Sequence, residues 1–420
     1  MFERTVLTNG LRVVSMNLPH ARSVSCALFL GIGSRHERDA ACGISHFVEH
    51  MLFKGTTTRP TAKDISVAIE QLGGMLNAET GKEVTVYWDK VSGHHWRAAI
   101  ELLADVIRNS LFDAREVDKE RGVIIEELSM LVDSPVDWVH LLIDEVVWAG
   151  HPLGRDIAGN PTTIAVLTPR ELRAHAATWY SSSNAVMAVA GPIEHAPIVD
   201  FVSKVLGDWQ TGDRPESSPA NGYASAGRIR LLTKDTEQTH MCLAMPGQSY
   251  ADPDRYALDL ANVVLGDGMS SRLFQEVRER RGLAYDVHSY VNRFRDTGSL
   301  VVYAGVDPPR AVETLRAIVS EVTRFASTID DEEIARAKDF WKGRLDLRLE
   351  DTRSMASWIG SQELLLGHIQ TAEDVIEQID RVTREDVIRV ATEVFRRENF
   401  SLAMIGPAAD RATLDEVLGA

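Results

Sequence analysis

The sequence predicts a protein of mixed strands and helices built from two similar halves, and two observations lead to this prediction. Short β-branched runs bounded by turn residues alternate with longer amphipathic stretches along the 420 residues. After residue 228 the order starts again, because residues 228–232 resemble residues 11–14 and each half ends with a strand that leads into Gly-Pro, at Gly191 and Gly406. We therefore infer an internal duplication of about 200 residues per half.

Length, composition and charge limit the class of protein. A chain of 420 residues is too long for one ordinary core, and 44% hydrophobic with 25% charged residues is typical of soluble globular proteins. The 61 acidic against 45 basic residues give a net charge of -16, which argues against nucleic acid and anionic membranes as partners. Sparse, irregularly spaced cysteines and the lack of a basic-apolar leader or a long apolar run predict a reducing, cytoplasmic location.

The elements of the first half follow from local patterns. Asn9 and Gly10 mark a hairpin turn, Thr61 with Asp64 marks the start of a helix, and Thr168 marks another. Glycines at 73 and 74 end the helix that Thr61 begins. The predicted strands lie at 5–16 (a hairpin), 24–30, 75–78, 84–88 and 185–191, and the predicted helices at 61–72, 95–109, 114–132, 138–148, 168–179 and 198–206.

His46, Glu49 and His50 form a His-x-x-Glu-His pattern between the second predicted strand and Thr61. On a helix, His46 and His50 lie on the same face, so both imidazoles can point at one zinc ion, with Glu49 on the same side. A carboxylate there that is not a ligand could take a proton from a zinc-bound water, as in metal-assisted peptide hydrolysis. Taken alone, the pattern also fits two ordinary surface or core histidines, so its context must decide.

The helix at 114–132, which Asp113 precedes, is the place to seek a third ligand. Glu120 and Glu127 lie together on the flank of its apolar stripe, whereas Glu126 points nearly opposite. A carboxylate that meets a metal on a neighbouring helix should lie on the flank, which favours Glu127 as ligand and Glu120 as a support for a ligand. The alternative for all three is a solvated acidic face. The stripe consists of Val117, Ile124, Leu128 and Leu131.

Residues 212–227 are rich in proline, serine and glycine, as is typical of a linker. We therefore predict a first domain at 1–211 that holds the metal site and a homologous second domain at 228–420. Where the first half carries the histidine motif, the second has Asn-Val-Val-Leu-Gly at 262–266, so it holds no second metal site. The glycine turn at 266–271 lacks the Lys-Ser/Thr ending of a phosphate loop.

Three stretches, at 46–56, 72–78 and 120–128, resemble the superfamily of pitrilysin, insulin-degrading enzyme and the mitochondrial processing peptidase β-subunit, and in particular its short bacterial zinc peptidases. The resemblance covers nearly the whole chain. It implies an α+β fold of two similar halves, each a β-sheet packed with helices, that enclose a chamber. The distal glutamate ligand of the family matches Glu127, and its catalytic base matches Glu49.

The resemblance also implies substrate-binding residues. In this family an arginine and a tyrosine from the C-terminal half contact substrate near the zinc, and they match Arg278 and Tyr285; zinc and Tyr285 would stabilise the oxyanion. Without the resemblance, a charge at a helix end and a core tyrosine would be the simpler interpretation. An extended substrate is expected to pair through its backbone with an edge strand near Asn77 and Ala78.

Together these features predict a zinc-dependent endopeptidase for extended oligopeptides or unstructured segments. One zinc per chain would be held by His46, His50 and Glu127, with Glu49 as general base. Two alternatives are a non-catalytic subunit, like respiratory-complex core proteins or processing-peptidase α-subunits, and a peptide-binding module that keeps zinc for structure. Because one chain carries both the metal motif and the arginine-tyrosine pair, we expect it to need no different partner and to form a homodimer.

Overall fold

Two β-sheets with helices packed against them make up the computed structural model, which describes residues 2–220, 228–407 and 410–419. This architecture confirms the predicted α+β class with two similar halves. The strands are β1 Phe2–Val6, β2 Arg12–Asn17, β3 Ser23–Leu30, β4 Met75–Thr80, β5 Thr85–Ser92, β6 Ala185–Gly191, β7 Ile229–Thr233, β8 Thr239–Gly247, β9 Ala284–Arg293, β10 Gly298–Val306 and β11 Ser401–Gly406. The α-helices are α1 Ile44–Leu52, α2 Ala62–Glu70, α3 Trp96–Asn109, α4 Ala114–Asp133, α5 Pro135–Val147, α6 Pro161–Val166, α7 Pro169–Trp179, α8 His195–Leu206, α9 Arg255–Leu265, α10 Ala311–Thr328, α11 Asp331–Leu349, α12 Thr352–Leu365, α13 Ala372–Arg381, α14 Arg384–Val394 and α15 Arg411–Leu418.

The first sheet has the strand order β1-β2-β6-β3-β5-β4, with β2 and β6 parallel and the other pairs antiparallel. The predicted hairpin of β1 and β2 is present, and Gly10 in its turn has a φ of 83°, which glycine adopts without steric cost. Strands β3 and β6 are buried along nearly their whole length, so this sheet is covered on both faces.

The second sheet has the order β7-β11-β8-β10-β9, with β7 and β11 parallel. It repeats the topology of the first sheet without the extra edge strand β1. The order that the sequence predicted for an internal duplication is therefore found in three dimensions.

One face of each sheet is covered by a helix that comes from the other half of the sequence. Helix α12 packs across β2, β3 and β6, and α5 packs across β7, β8 and β11. At the contact of α12, a Cβ added to Gly360 would stand 2.3 Å from the ring of Phe29, so only glycine allows this close approach to β3. The burial of each sheet thus depends on a segment distant in the chain.

The chain accordingly forms two compact units, and neither is continuous in sequence. The first unit comprises Met1–Ser129, Arg155–Ser218 and Asp346–Thr371, and the second comprises Met130–Gly154, Pro219–Leu345 and Ala372–Ala420. The predicted boundary at 212–227 stays a prediction: residues 212–220 form neither helix nor strand, and 221–227 lie outside the described residues. Within the described ranges no helix is both long and apolar enough to span a membrane.

Local capping patterns set the helix boundaries as the sequence predicted. The side chains of Thr61 and Asp64 form a reciprocal cap at the start of α2, and Thr168 does the same with Glu171 for α7. Asp113 accepts hydrogen bonds from the backbone N–H groups that open α4. Helix α5 starts at Pro135, three residues before the predicted start, because proline is favoured in a first helical turn.

Candidate metal centre

The apolar face of α1 fixes how the histidine motif is presented. Residues on one side of this helix are buried in the core of the first unit, which leaves His46, Glu49 and His50 together on the other side. The three polar side chains are only partly buried. The buried apolar residues are Ile44, Phe47, Val48, Met51 and Leu52.

A buried carboxylate holds the first turn of α1. Gly43 at the N-cap has a φ of 92° and no side chain to cap with, so Glu37 supplies the cap from the preceding loop. Its Oε2 accepts a hydrogen bond from Gly43 N at 2.7 Å and its Oε1 accepts one from Ser45 N at 2.8 Å. Burial raises the pKa of Glu37 to about 7, against these hydrogen bonds and the nearby guanidinium of Arg155.

Helix α4 presents Glu127 to the two histidines. Val117, Ile124 and Leu128 are buried as predicted, whereas Leu131 is only half-buried and lies beyond Ser129, where the chain leaves the first unit. With this face of α4 buried, Glu127 Oε2 lies 3.9 Å from His46 Nε2 and 3.6 Å from His50 Nε2. The predicted outward direction of Glu126 agrees with its exposed side chain.

The donor atoms of His46, His50 and Glu127 fit a zinc ion. The two Nε2 atoms are 3.3 Å apart, and one donor atom from each of the three residues lies within 4.8 Å of the others. Zinc bonds of about 2.0–2.2 Å at tetrahedral angles separate two donors by about 3.3–3.6 Å. The His46–Glu127 distance is slightly wider than this. In the described part of the chain this is the one such group of histidine, cysteine or acidic residues.

Glu120 orients the ring of His50. Glu120 Oε2 lies 3.1 Å from His50 Nδ1, and Glu120 Oε1 forms an ion pair with Lys54 Nζ at 2.8 Å. A carboxylate can only accept, so the tautomer that fits this contact has its proton on His50 Nδ1 and leaves the Nε2 lone pair for a metal. Glu120 thus lies against His50, on the side of α4 that its helical position predicted, and Lys54, which no sequence pattern indicated, holds Glu120 in turn.

His46 lacks a comparable partner. Its Nδ1 is buried and makes no hydrogen bond within the described residues. Burial, followed by the neighbouring His50, lowers the pKa of His46 to about 4. The imidazole is therefore neutral at physiological pH, the form in which histidine binds metals.

Glu49 lies beside the donor set without belonging to it. Its Oε2 accepts a hydrogen bond from the hydroxyl of Thr80, at the end of β4. Burial raises the pKa of Glu49, while the Thr80 hydrogen bond and His50 act in the opposite direction. A partly buried carboxyl of raised pKa next to a candidate metal site is suited to accept a proton. The Thr80 contact joins segments far apart in sequence, so no local pattern predicts it.

Strand β4, the predicted substrate strand, lies at the edge of the first sheet and, among the described residues, pairs with β5 alone. Asn77 is exposed, and its Oδ1 accepts a hydrogen bond from Ala78 N at 2.8 Å. Ala78 is half-buried on the opposite face of the strand. An unpaired edge is the kind of surface to which an extended peptide can add.

Arg278 and Tyr285 belong to the second unit and lie together there. Arg278 is in a π-helical turn at Phe274–Arg280, and Tyr285, in β9, is 76% exposed. The Arg278 guanidinium carbon lies 4.9 Å from the centre of the Tyr285 ring and 4.8 Å from that of Phe274. The exposed tyrosine does not fit the alternative of a core residue, and π-helical turns are frequent at functional sites.

The sequence is similar to peptidases over its full length. Residues 12–161 match the family profile described as insulinase (peptidase family M16), and residues 167–340 match the profile described as the peptidase M16 inactive domain. An uncharacterized zinc protease of Streptomyces coelicolor is 39% identical over 97% of this chain and 90% of its own length. An uncharacterized zinc protease of Bacillus subtilis is 37% identical over 98% of this chain and 99% of its own length.

A solved structure shares the fold. The crystal structure of a protease from Helicobacter pylori superposes with a TM-score of 0.90 at 23% identity, covering 97% of this chain and 100% of the other. The arrangement of two helix-packed sheets is therefore the one found in that protease.

Proposed function

The chain belongs to peptidase family M16, and from this membership and its metal centre we propose that it is a zinc-dependent endopeptidase acting on extended oligopeptides or unstructured segments. Relatives that match nearly its whole length are named zinc proteases. The observation that carries the proposal is the convergence of donor atoms from His46, His50 and Glu127, with Glu49 beside them but outside the set.

His46, His50 and Glu127 would hold one zinc ion per chain. Two neutral imidazoles and one carboxylate are the donor types that catalytic zinc sites use, and three protein ligands leave a position for water or substrate. When bound, zinc supplies a Lewis acid that makes water a nucleophile near neutral pH and polarises a carbonyl group. The ion pair of Lys54 with Glu120, and the hydrogen bond of Glu120 to His50, keep the His50 ring oriented.

Glu49 would move the proton. Its carboxylate accepts a proton from the attacking water and returns it to the nitrogen of the leaving amine. The raised pKa of Glu49 supports this role, because a base whose pKa lies closer to neutral can both take and return a proton. The hydrogen bond from Thr80 leaves the other carboxylate oxygen for the transfer.

The free edge of β4 would bind the substrate. Pairing through main-chain hydrogen bonds needs an extended peptide and sets few demands on its side chains, which explains the proposed class of substrate. Asn77 and Ala78 lie in this strand. Arg278 and Tyr285 remain predicted substrate contacts; the expectation is that Arg278→Ala and Tyr285→Phe slow turnover without changing the zinc content.

The proposal is tested with the purified chain alone. Zinc-loaded protein is mixed with an unstructured peptide, and the cleaved bonds are identified by mass spectrometry. We expect cuts at internal bonds, loss of cleavage with a chelator and recovery when zinc is returned. Glu126→Gln, a substitution on the exposed side of α4, serves as the matched control and should cleave like the wild type.

The two alternative functions give different results. Full zinc occupancy without cleavage would contradict the proposal. Rescue of that inactive chain by a second protein would identify a partner subunit, and stable binding of an intact peptide would identify a binding module. The expected homodimer is measured separately, by the mass of the purified chain in solution against 46.5 kDa for one copy.

A further inference from the structure

Thr80 is the last residue of the edge strand β4, and its side chain points away from solvent. Side chains alternate along this strand: Met75, Asn77 and Glu79 are exposed, whereas Leu76 and Ala78 are half-buried. Thr80 continues the inward set and is only 8% exposed. Strand β4 packs against α1 on this inward side.

The hydroxyl of Thr80 donates its proton to Glu49 Oε2. The direction of this bond is fixed, because an ionised carboxylate has no proton to give and the threonine hydroxyl has one. Within residues 2–220, 228–407 and 410–419, this is the one hydrogen bond of the Glu49 side chain. The carboxylate is therefore anchored at one oxygen, and Oε1 is left without a partner.

The hydrogen bond from Thr80 restricts the orientation of the Glu49 carboxylate. The terminal torsion of a glutamate is broad, so an unanchored carboxylate samples many orientations. Fixing Oε2 restricts that torsion and directs Oε1 to one place. A proton acceptor is effective only when it lies within hydrogen-bond reach of the proton it takes.

We propose that Thr80 is a positioning residue for Glu49, which ties the general base to the strand that would bind the peptide. This inference rests on the proposed function. It assigns to Thr80 an effect on the rate of the chemical step, and no effect on zinc binding, since its hydroxyl contacts none of His46, His50 and Glu127.

The test compares variants that differ in one hydroxyl. Thr80→Val replaces the hydroxyl by a methyl group of similar size, and Thr80→Ser keeps the hydroxyl. We expect Thr80→Val to lower kcat about 10- to 100-fold with KM changed less than about threefold, and Thr80→Ser to stay within about threefold of the wild type. Zinc content and zinc affinity should be unchanged in both.

Thr85 provides a matched control. It pairs with Thr80 across the β4–β5 ladder, is fully buried, and its hydroxyl donates to the Ile32 carbonyl at 2.9 Å. Thr85→Val thus removes a buried hydroxyl from the neighbouring strand without touching Glu49. Its kcat should remain that of the wild type even where its thermal stability falls.

A second measurement does not depend on cleavage. The Thr80→Val substitution is made in the metal-free wild type and in the metal-free Glu49→Ala variant. It should lower the unfolding midpoint more in the wild type, because the Glu49→Ala variant lacks the carboxylate that Thr80 contacts. Equal shifts in the two backgrounds would overturn the inference, as would a Thr80→Ser variant as slow as Thr80→Val or a Thr80→Val variant that loses zinc. If Thr80→Val fails to fold, Thr80→Ala takes its place.

The two proposals fail in different ways. A wild-type chain that holds zinc and cleaves nothing contradicts the proposed function. A wild-type chain that cleaves, together with a Thr80→Val variant of equal kcat, contradicts only the role of Thr80.

Discussion

The sheets of the two units share one topology. Strands β2, β6, β3, β5 and β4 follow one another across the first sheet as β7, β11, β8, β10 and β9 do across the second. The pair that opens each series is parallel, and one helix, α12 or α5, covers the corresponding strands. Among the described residues, the candidate metal centre lies in the first of these two similar frameworks, so the sheet alone does not determine where such a site forms.

The difference lies in the helix that follows the central strand of each unit. Helix α1 buries one face and keeps two histidines and a glutamate on the other. Helix α9 is buried along nearly its whole length, and its Asn262 accepts a hydrogen bond from the Ser289 hydroxyl at 2.7 Å. The candidate metal centre thus uses a polar face that the core leaves free on α1, whereas the corresponding residues of α9 are mostly buried.

Two pairs of histidines, one pair from each unit, show a similar difference. In the first unit, His46 and His50 direct their Nε2 atoms to one point. In the second, His140 Nδ1 lies 2.6 Å from the Tyr290 hydroxyl and His240 Nδ1 lies 2.9 Å from the Tyr303 hydroxyl. Both rings also stack on Tyr303. The ring nitrogens of these two histidines are thus paired with phenol hydroxyls, and neither histidine belongs to the candidate metal group.

The largest effect, on zinc affinity, is expected from a substitution of Glu127, the proposed zinc ligand on α4. Glu127→Gln should weaken zinc binding more than about 100-fold, beyond the 10- to 100-fold typical of a residue that only supports a ligand. Glu126→Gln should leave the affinity unchanged, because Glu126 is exposed. Zinc affinity by competition with a chelator measures both. A reversed order would place the helix one residue out of phase.

A smaller effect on zinc affinity is expected from Glu120, whose carboxylate lies against the His50 ring. Glu120→Gln weakens the charge-assisted hydrogen bond to His50 Nδ1 and removes the ion pair with Lys54, so zinc affinity should fall about 10- to 100-fold while saturating zinc still fills the site. Lys54→Met should act in the same direction and less strongly. An unchanged affinity in Glu120→Gln would show that the His50 ring is held by packing alone.

The smallest effect, on the free energy of unfolding, is expected from Asp89, which occupies the position in the first sheet that Tyr303 occupies in the second. Cys26 in β3 pairs with Asp89 in β5, and Cys242 in β8 pairs with Tyr303 in β10. Tyr303 is hydrogen-bonded to His240, whereas the fully buried Asp89 carboxyl faces Cys26 and has no charged partner among the described residues. Burial raises the pKa of Asp89 well above its ordinary value of 3.8.

This carboxyl makes folding less favourable as pH rises. Above an ordinary pKa of 3.8 the unfolded chain releases the Asp89 proton while the folded chain keeps it, so the stability falls with rising pH until the raised folded-state pKa is reached. Asp89→Asn should therefore stabilise the protein by about 1 kcal/mol at pH 7, and by less at pH 4. Denaturant unfolding at both pH values measures this. Asp339→Asn, at a side chain 80% exposed, is the control; a gain for Asp89→Asn that did not shrink at pH 4 would refute the titration.

Features set by neighbouring residues were predictable from the sequence, and contacts between distant segments were not. The caps at Thr61 and Thr168, and the phase of α4 that brings Glu120 and Glu127 to one flank, follow from spacing over one or two helical turns. Helices α5 and α12 each pack on a sheet whose strands come from the other half of the sequence, and Thr80 donates a hydrogen bond to Glu49. Both features depend on packing between segments far apart in the chain. Neither leaves a local pattern.

The central claim is that His46, His50 and Glu127 hold the metal while Glu49 stands outside the set as the base. The measurement that tests it most directly is the zinc content of Glu49→Gln together with its rate of peptide cleavage. We expect one zinc per chain, as in the wild type, and cleavage slowed by at least about 100-fold. Loss of zinc from Glu49→Gln would make Glu49 a ligand and refute its role as the base.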